Sequence, residues 1–110
     1  MKNITVAEFT IDAYEQVYSL WENCDGIGLS SADSRPRIHI YLERNPGLSL
    51  IAHDRQRVVG TILCGHDGRR GYIHHLAVLS AYRRQGIGRL LVDKSLATLQ
   101  SLGIQKCHLF

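Results

Sequence analysis

Residues 83–89, Arg83-Arg84-Gln85-Gly86-Ile87-Gly88-Arg89, put three arginines and two glycines into one short stretch. An apolar run, Leu76-Ala77-Val78-Leu79, precedes them and a long helical pattern follows. The first turn of a helix presents N–H groups without partners and the positive end of the helix dipole. Glycine lets an anion approach that backbone closely, and arginine adds charge. The combination is a cradle for a phosphate group. A P-loop needs Gly-Lys-Ser/Thr after its glycines, whereas Gly88 is followed by Arg89-Leu90. A dinucleotide fingerprint needs a third small residue near Leu91 and an early βαβ unit, and neither occurs. A second group able to do chemistry lies just upstream. His74 and His75 adjoin the apolar run, and an imidazole titrating near pH ~6.5 can accept a proton at neutrality. Strand alternation puts Tyr72, His74 and Leu76 on one face and His75 and Ala77 on the other, unless a bulge intervenes.

The elements that must hold these residues can be read in outline. Residues 4–10 have the pattern of a strand, and Asp12-Ala13-Tyr14-Glu15 reads as a helix start with a capping carboxylate three positions on. Ala13, Val17, Leu20, Trp21 and Cys24 recur at helical spacing until Asp25-Gly26. After a Gly- and Ser-rich loop, Ser34 and Pro36 open a second helix that Asn45-Pro46-Gly47 closes. Three strands follow, at residues 48–53, 57–65 and 71–79, with an Asp67-Gly68 hairpin turn between the last two. They form an antiparallel meander. A helix from about Arg84 to Leu102 is apolar around more than half its circumference, which implies burial against the sheet, and Gly103 ends it. Residues 104–110 begin a further strand, joined through that helix and therefore expected to lie parallel. The order is βααβββαβ.

Composition sets the outer limits. A chain of 110 residues, 45% hydrophobic and 21% charged, is one globular domain spanning residues 1–110. No apolar run approaches the ~20 residues of a membrane span, so no membrane partner is expected. The first five residues lack the apolar core of a secretion signal. Cys24, Cys64 and Cys107 are odd in number and widely spaced, which disfavours a disulfide framework or structural metal and suits a reducing cytoplasm. Cys64 and Cys107 read as packed thiols in strands. Charge is uneven: residues 1–34 carry one basic side chain against six acidic ones, residues 35–110 twelve against four. That basic remainder raises nucleic acid as a partner, but no reading helix or aromatic strip accompanies it, and a pyrophosphate explains Arg83 to Arg89 better.

Arg83-Arg84-Gln85-Gly86-Ile87-Gly88, after a Leu-Ala-Val strand and a Tyr-Arg loop, fits the pattern R/Q-x-x-G-x-G/A. With the element order, it closely resembles the acetyl-coenzyme A signature of the GNAT superfamily of N-acetyltransferases. The resemblance implies an α+β fold with a mixed, mostly antiparallel sheet flanked by helices. It implies that main-chain groups of Leu76, Ala77 and Val78 bond the pantetheine arm like an added strand. It further implies that the loop from Arg83 through Arg84, Gln85, Gly86, Ile87 and Gly88 to Arg89 holds the pyrophosphate, with Arg84 and Arg89 adding salt bridges. The reaction it implies is direct attack of an amine on the thioester carbonyl, a backbone N–H stabilising the oxyanion. Some members carry the proton acceptor at positions matching Tyr72 and His74, so His74 is the candidate base, while His75 reads as structural.

The chain departs from the family at its end. Members continue past the fifth strand with a helix and two strands, and the tyrosine that protonates the leaving thiolate often comes from that segment. Phe110 is the last residue here, so neither Tyr72 nor Tyr82 inherits that role; Tyr82 is expected to pack beside the glycine loop. The alternative to an active enzyme is therefore a non-catalytic acyl-coenzyme A-binding module or a truncated, inactive acetyltransferase. The uncovered last strand also favours a homo-oligomer. In the family the first two helices and their loop, here residues 20–35, help build the acceptor site, and Asp25 and Asp33 in that span would favour a cationic amine.

Overall fold

The computed structural model describes residues 3–110; Met1 and Lys2, part of the N-terminal segment read above, lie outside the described residues. Strand β1 (Ile4–Glu8) leads through a 3-10 turn (Ile11–Ala13) into α1 (Tyr14–Glu22). A second 3-10 turn (Ser31–Asp33) precedes α2 (Arg35–Arg44). The strands β2 (Leu50–Asp54), β3 (Arg57–His66) and β4 (Arg70–Val78) follow, then a 3-10 turn (Ser80–Tyr82), α3 (Ile87–Ser101) and β5 (Lys106–Leu109). The sheet runs β1-β2-β3-β4-β5 in space, with every neighbour antiparallel except β4 and β5, which are parallel. The meander, the parallel crossover and the βααβββαβ order are all as the sequence predicts.

Each face of the sheet carries its own core. Phe9, Val17, Trp21, Ile38, Leu63 and Ala77 pack α1 and α2 on one side. Val59, Ile62, Ile73, Ile87, Leu91 and Leu99 pack α3 on the other. Sheets covered on both faces read as continuous apolar runs, and β3 is buried from Val58 to Gly65. Helix α3 buries Ile87, Leu91, Ser95 and Leu99, a single stripe at i, i+4 spacing. This is narrower than its apolar circumference suggests: Leu90 and Leu102 are exposed. The helix starts at Ile87 rather than Arg84, because Arg84 takes a left-handed φ of 63°. Gly103, at φ 84°, terminates it as expected.

The helix starts differ from expectation in a second respect. Asp12 caps nothing: it lies inside the 3-10 turn, and neither that turn nor α1 has a side-chain cap. The capping box is at Ser30–Asp33 instead, where Ser30 Oγ accepts from Ala32 N and Asp33 Oδ2 accepts from Ser30 N. In the β3–β4 turn, Asp67 accepts from the Arg69 and Arg70 N–H groups, each at 2.9 Å, and from the Tyr72 hydroxyl. Those bonds hold its carboxyl down at about 2. Its contribution to the turn is therefore full above about pH 4 and is lost as pH falls through about 2.

Polar contacts tie α2 to β3. Asn45 donates to Tyr41 O at 3.1 Å and accepts from His66 N at 3.1 Å. A Cβ at Gly65 would lie 2.7 Å from the Tyr41 hydroxyl and 2.8 Å from Asn45 Cγ. Asn45 is bonded at both ends of its amide and cannot withdraw. Gly65→Ala is expected to destabilise the fold by about 1–3 kcal/mol, the cost of overpacking. Denaturant titration measures it, and an unchanged midpoint would show that α2 shifts without cost.

Candidate functional site

Strand β4 changes both its partner and its phase near the middle. Its parallel pairing with β5 covers Arg70 to Ile73 and ends there, the last contact being Phe110 N donating to Ile73 O at 2.9 Å. Beyond that point residues 74–78 have β3 as their only strand partner among the described residues, so the main-chain edge of Leu76, Ala77 and Val78 that faces β5's side of the sheet pairs with no strand, although Val78 O accepts from Arg83 Nε at 3.0 Å and from Cys24 Sγ at 3.7 Å. On the β3 side the register shifts between Thr61 and Leu63, and His75 takes a φ of 49°. This is a β-bulge, two residues on β4 against one on β3.

The bulge corrects the simple alternation. Tyr72 and His74 do share a face, both stacking on Phe110. After the bulge the phase reverses. His75 contacts Trp21 with ring centroids 5.0 Å apart, and Ala77 joins the α1 core, so Leu76 leaves the face of His74 and is exposed.

His74 and His75 therefore line one cavity of about 530 Å³, together with Asp33, Arg37, Ile40 and Arg44. His75 Nε2 donates to Asp33 Oδ1 across 2.8 Å. Asp33 is buried, its other carboxylate oxygen is held by Ser30 N at 3.0 Å, and its main-chain carbonyl accepts from the Tyr14 hydroxyl. The pair fixes the His75 ring against Trp21, in keeping with a structural role. His74 makes no hydrogen bond among the described residues; its ring lies 4.9 Å from that of Phe110, nearly parallel at 7°. Burial, and then the neighbouring His75, lower its pKa from the usual value, against a smaller opposing pull from Asp33. His74 is thus a neutral imidazole at neutral pH, able to accept a proton. Asp25, the other acid expected near the acceptor, is exposed and does not line the cavity.

The second part of the site is at the start of α3. Val78, Tyr82, Arg83, Arg84, Gly86 and Arg89 line a cleft of about 280 Å³ there. None of the main-chain N–H groups of residues 84–89 has a hydrogen-bond partner among the described residues; the first bond of the helix is Leu90 N to Gly86 O at 3.0 Å. Arg84 and Gly86 both have left-handed backbones, with φ of 63° and 82°, a sequence of turns that points successive N–H groups toward one side. A Cβ on Gly86 would meet nothing within 4 Å, so its conformation demands glycine more than crowding does. At Gly88 a Cβ would be in ordinary contact with Val78, at 3.8 Å.

The three arginines of the loop are not equivalent. Arg83 Nε donates to Val78 O at 3.0 Å, turning this side chain back onto β4 and occupying one of the carbonyls read as a pantetheine partner. Arg89 lies 3.7 Å from Asp93, both exposed. Arg84 has no ionic partner among the described residues. Gln85 makes a long contact to Ala81 O, at 3.5 Å. Tyr82 is buried and donates to Asp54 Oδ2 at 2.7 Å, a contact that anchors the loop to β2 and that no sequence motif signals. Cys64 is fully buried, with a thiol pushed up to about 12 by burial, and Cys107 is half-buried.

Comparison with known proteins agrees with this geometry. The family model described as Acetyltransferase (GNAT) family matches residues 14–110. An acetyltransferase of Sodalis glossinidius (strain morsitans) is 36% identical over 101 residues, which span 92% of this chain and 70% of that protein. One of Pectobacterium atrosepticum is 34% identical over 101 residues, spanning 92% and 71%. Among solved structures, the PaiA N-acetyltransferase of Thermoplasma acidophilum in complex with coenzyme A superposes with a TM-score of 0.84 at 17% identity, covering 97% of this chain and 78% of that one. Ard1 from Thermoplasma volcanium superposes with a TM-score of 0.82 at 21% identity, covering 96% and 70%.

The cradle is testable by substitution. Gly86→Glu puts a carboxylate where the unbonded N–H groups converge and is expected to abolish measurable coenzyme A binding. Gly86→Ala, which adds only backbone strain of about 1–2 kcal/mol, should lower thermal stability and retain binding. Calorimetric titration of both variants separates the effects, and near-normal affinity in Gly86→Glu would remove the cradle assignment.

Proposed function

The chain belongs to the acetyltransferase (GNAT) family, and from that premise we propose that it transfers an acetyl group from acetyl-coenzyme A to a primary amine by direct attack. One observation carries the reading: an edge of β4 with no strand partner leads into six N–H groups without partners among the described residues at the start of α3. An extended pantetheine arm suits the first, and a pyrophosphate suits the second. The coenzyme A in the Thermoplasma acidophilum complex, a protein of the same fold, supports this choice of carrier.

In this reading Leu76, Ala77 and the N–H of Val78 hold the pantetheine arm through their main chain. The backbone of residues 84–89 holds the pyrophosphate, and Arg84 is the side chain free to add charge. The acceptor amine enters the cavity beside His74. An alkylammonium has a pKa of ~10, so it must lose a proton before it attacks, and His74 accepts that proton. The amine nitrogen bonds to the thioester carbon. The carbonyl electrons move onto oxygen, where a main-chain N–H of the bulged β4 segment stabilises them. The C–S bond then breaks and the thiolate leaves; the nitrogen, now bonded to carbon, gives up its second proton to solvent and the thiolate takes one from solvent, so the products are an amide and free coenzyme A. The buried free thiols Cys24 and Cys64 support a reducing, cytoplasmic setting.

Two measurements test the reading. His74→Ala should reduce kcat by about a hundredfold or more while the affinity for acetyl-coenzyme A stays within about twofold. The wild-type pH–rate profile should rise below pH ~6.5, since the His74 pKa is lowered, and the variant should lose that rise. An unchanged profile would return His74 to a packing role. A chain that binds acetyl-coenzyme A but releases no thiol with any primary amine would be a binding module instead.

The proposal includes self-association. Leu109, on the edge strand β5, and Phe110, just past it, are 66% and 75% exposed, and a second copy would cover them. Light scattering at micromolar concentration should give the mass of a dimer for the 110-residue chain; a monomer that melts cooperatively would contradict it.

A further inference from the structure

The cavity beside His74 has a charge pattern opposite to the one its loop suggests. Asp33 is its single acid, and the carboxylate is consumed internally: one oxygen takes His75 Nε2 at 2.8 Å and the other takes Ser30 N at 3.0 Å. It has little left to offer an ammonium group. The basic side chains of the lining are Arg37 and Arg44, both on α2. Seven residues apart, they lie on the same side of the helix, about two turns from one another. Neither makes an ion pair or hydrogen bond among the described residues.

The other charged side chains of α2 are paired. Arg35, two residues before Arg37, is paired with Glu15 at 3.0 Å, and Glu43, the one acid of α2, is 3.7 Å from His39 and does not line the cavity. Between the arginines Ile40 is 53% exposed, and the buried Ile38 and Leu63 complete an apolar wall. A volume of about 530 Å³ suits a small molecule. Guanidinium groups recognise carboxylates through paired hydrogen bonds.

We propose that the acceptor is a small amine that itself carries a carboxylate on an apolar body, as amino acids do, with Arg37 and Arg44 holding the carboxylate while the amine lies at His74. This inference rests on the acetyl-transfer reading for the location of the acceptor and names its chemical class.

The experiment measures binding to the protein saturated with coenzyme A, so that it does not depend on turnover. Three sets of probes are titrated calorimetrically. Each set holds an acid, its amide and its decarboxylated amine: leucine, leucinamide and isopentylamine; the corresponding phenylalanine set; and 5-aminopentanoate with its amide and butylamine. At least one acid is expected to bind ten times or more tighter than both its amide and its decarboxylated amine, in line with charged hydrogen bonds. The Arg37→Gln/Arg44→Gln double variant should remove that preference, leaving the affinity for coenzyme A and for the amides unchanged. If no acid outcompetes its matched amide, or the amines bind best, the carboxylate assignment is overturned. It is likewise overturned if the double variant weakens all three members of a set equally, since that marks a packing role. Failure of coenzyme A itself to bind the wild-type chain would instead overturn the acetyl-transfer reading.

Discussion

A single backbone conformation, the left-handed turn of His75 within β4, organises both halves of the site. A side chain with φ of 49° inside a strand costs roughly 1–3 kcal/mol. Two contacts offset that cost: the 2.8 Å bond to buried Asp33 and the edge packing on Trp21. Asp33 is itself fixed by the Ser30 capping box and by Tyr14. The loop between α1 and α2 is therefore not merely adjacent to the strand. It holds the residue that bends it, and the bend turns His75 and Ala77 toward α1 while β4 parts from β5 beyond Ile73.

The consequence at the other end of β4 is geometric. Once β5 no longer accompanies it, the strand has an unsatisfied edge, and a strand edge invites an extended partner. The chain then makes a short 3-10 turn, anchored by Tyr82 on Asp54, and enters α3 through two left-handed residues, Arg84 and Gly86. Strand edge and helix start thus lie in sequence along one path. Neither would suffice alone, because a helix N-terminus occurs in every helix. What distinguishes this one is six successive N–H groups with no acceptor among the described residues.

Much of this was legible in the residues. The glycines and arginines of 83–89 pointed to an anion cradle, and the alternation of apolar runs carried the element order. The bulge was less legible. Nothing in Ile73-His74-His75-Leu76 singles out a positive φ, since histidine, although enriched there, still takes it uncommonly, and the partner that holds it lies 42 positions away in Asp33. Alternation alone therefore assigned Leu76 to the wrong face. The true capping box is hidden in the sequence for a related reason: Asp12-Ala13-Tyr14-Glu15 and Ser30-Ser31-Ala32-Asp33 have similar spacing, and only the second has its carboxylate buried and drawn in by His75. The width of the buried face of α3 was overread because apolar residues on the surface look the same in sequence as those in a core.

Charge is where a linear reading misleads most. The first 34 residues are acidic and the remainder basic, and a ledger of that kind suggests an acidic acceptor loop facing a basic cofactor loop. Folding redistributes the charges. The one acid of the loop that reaches the cavity is buried and spent on His75 and Ser30, while arginines of the second helix stand along the cavity wall without counter-ions among the described residues. A buried carboxylate bonded on both oxygens acts as structure, because further charge would have to displace hydrogen bonds already made at low dielectric. An exposed guanidinium with no partner among the described residues retains its full capacity to bind. What the cavity can recognise is therefore set by the charges that the fold leaves unpaired along its wall, and there those charges are positive.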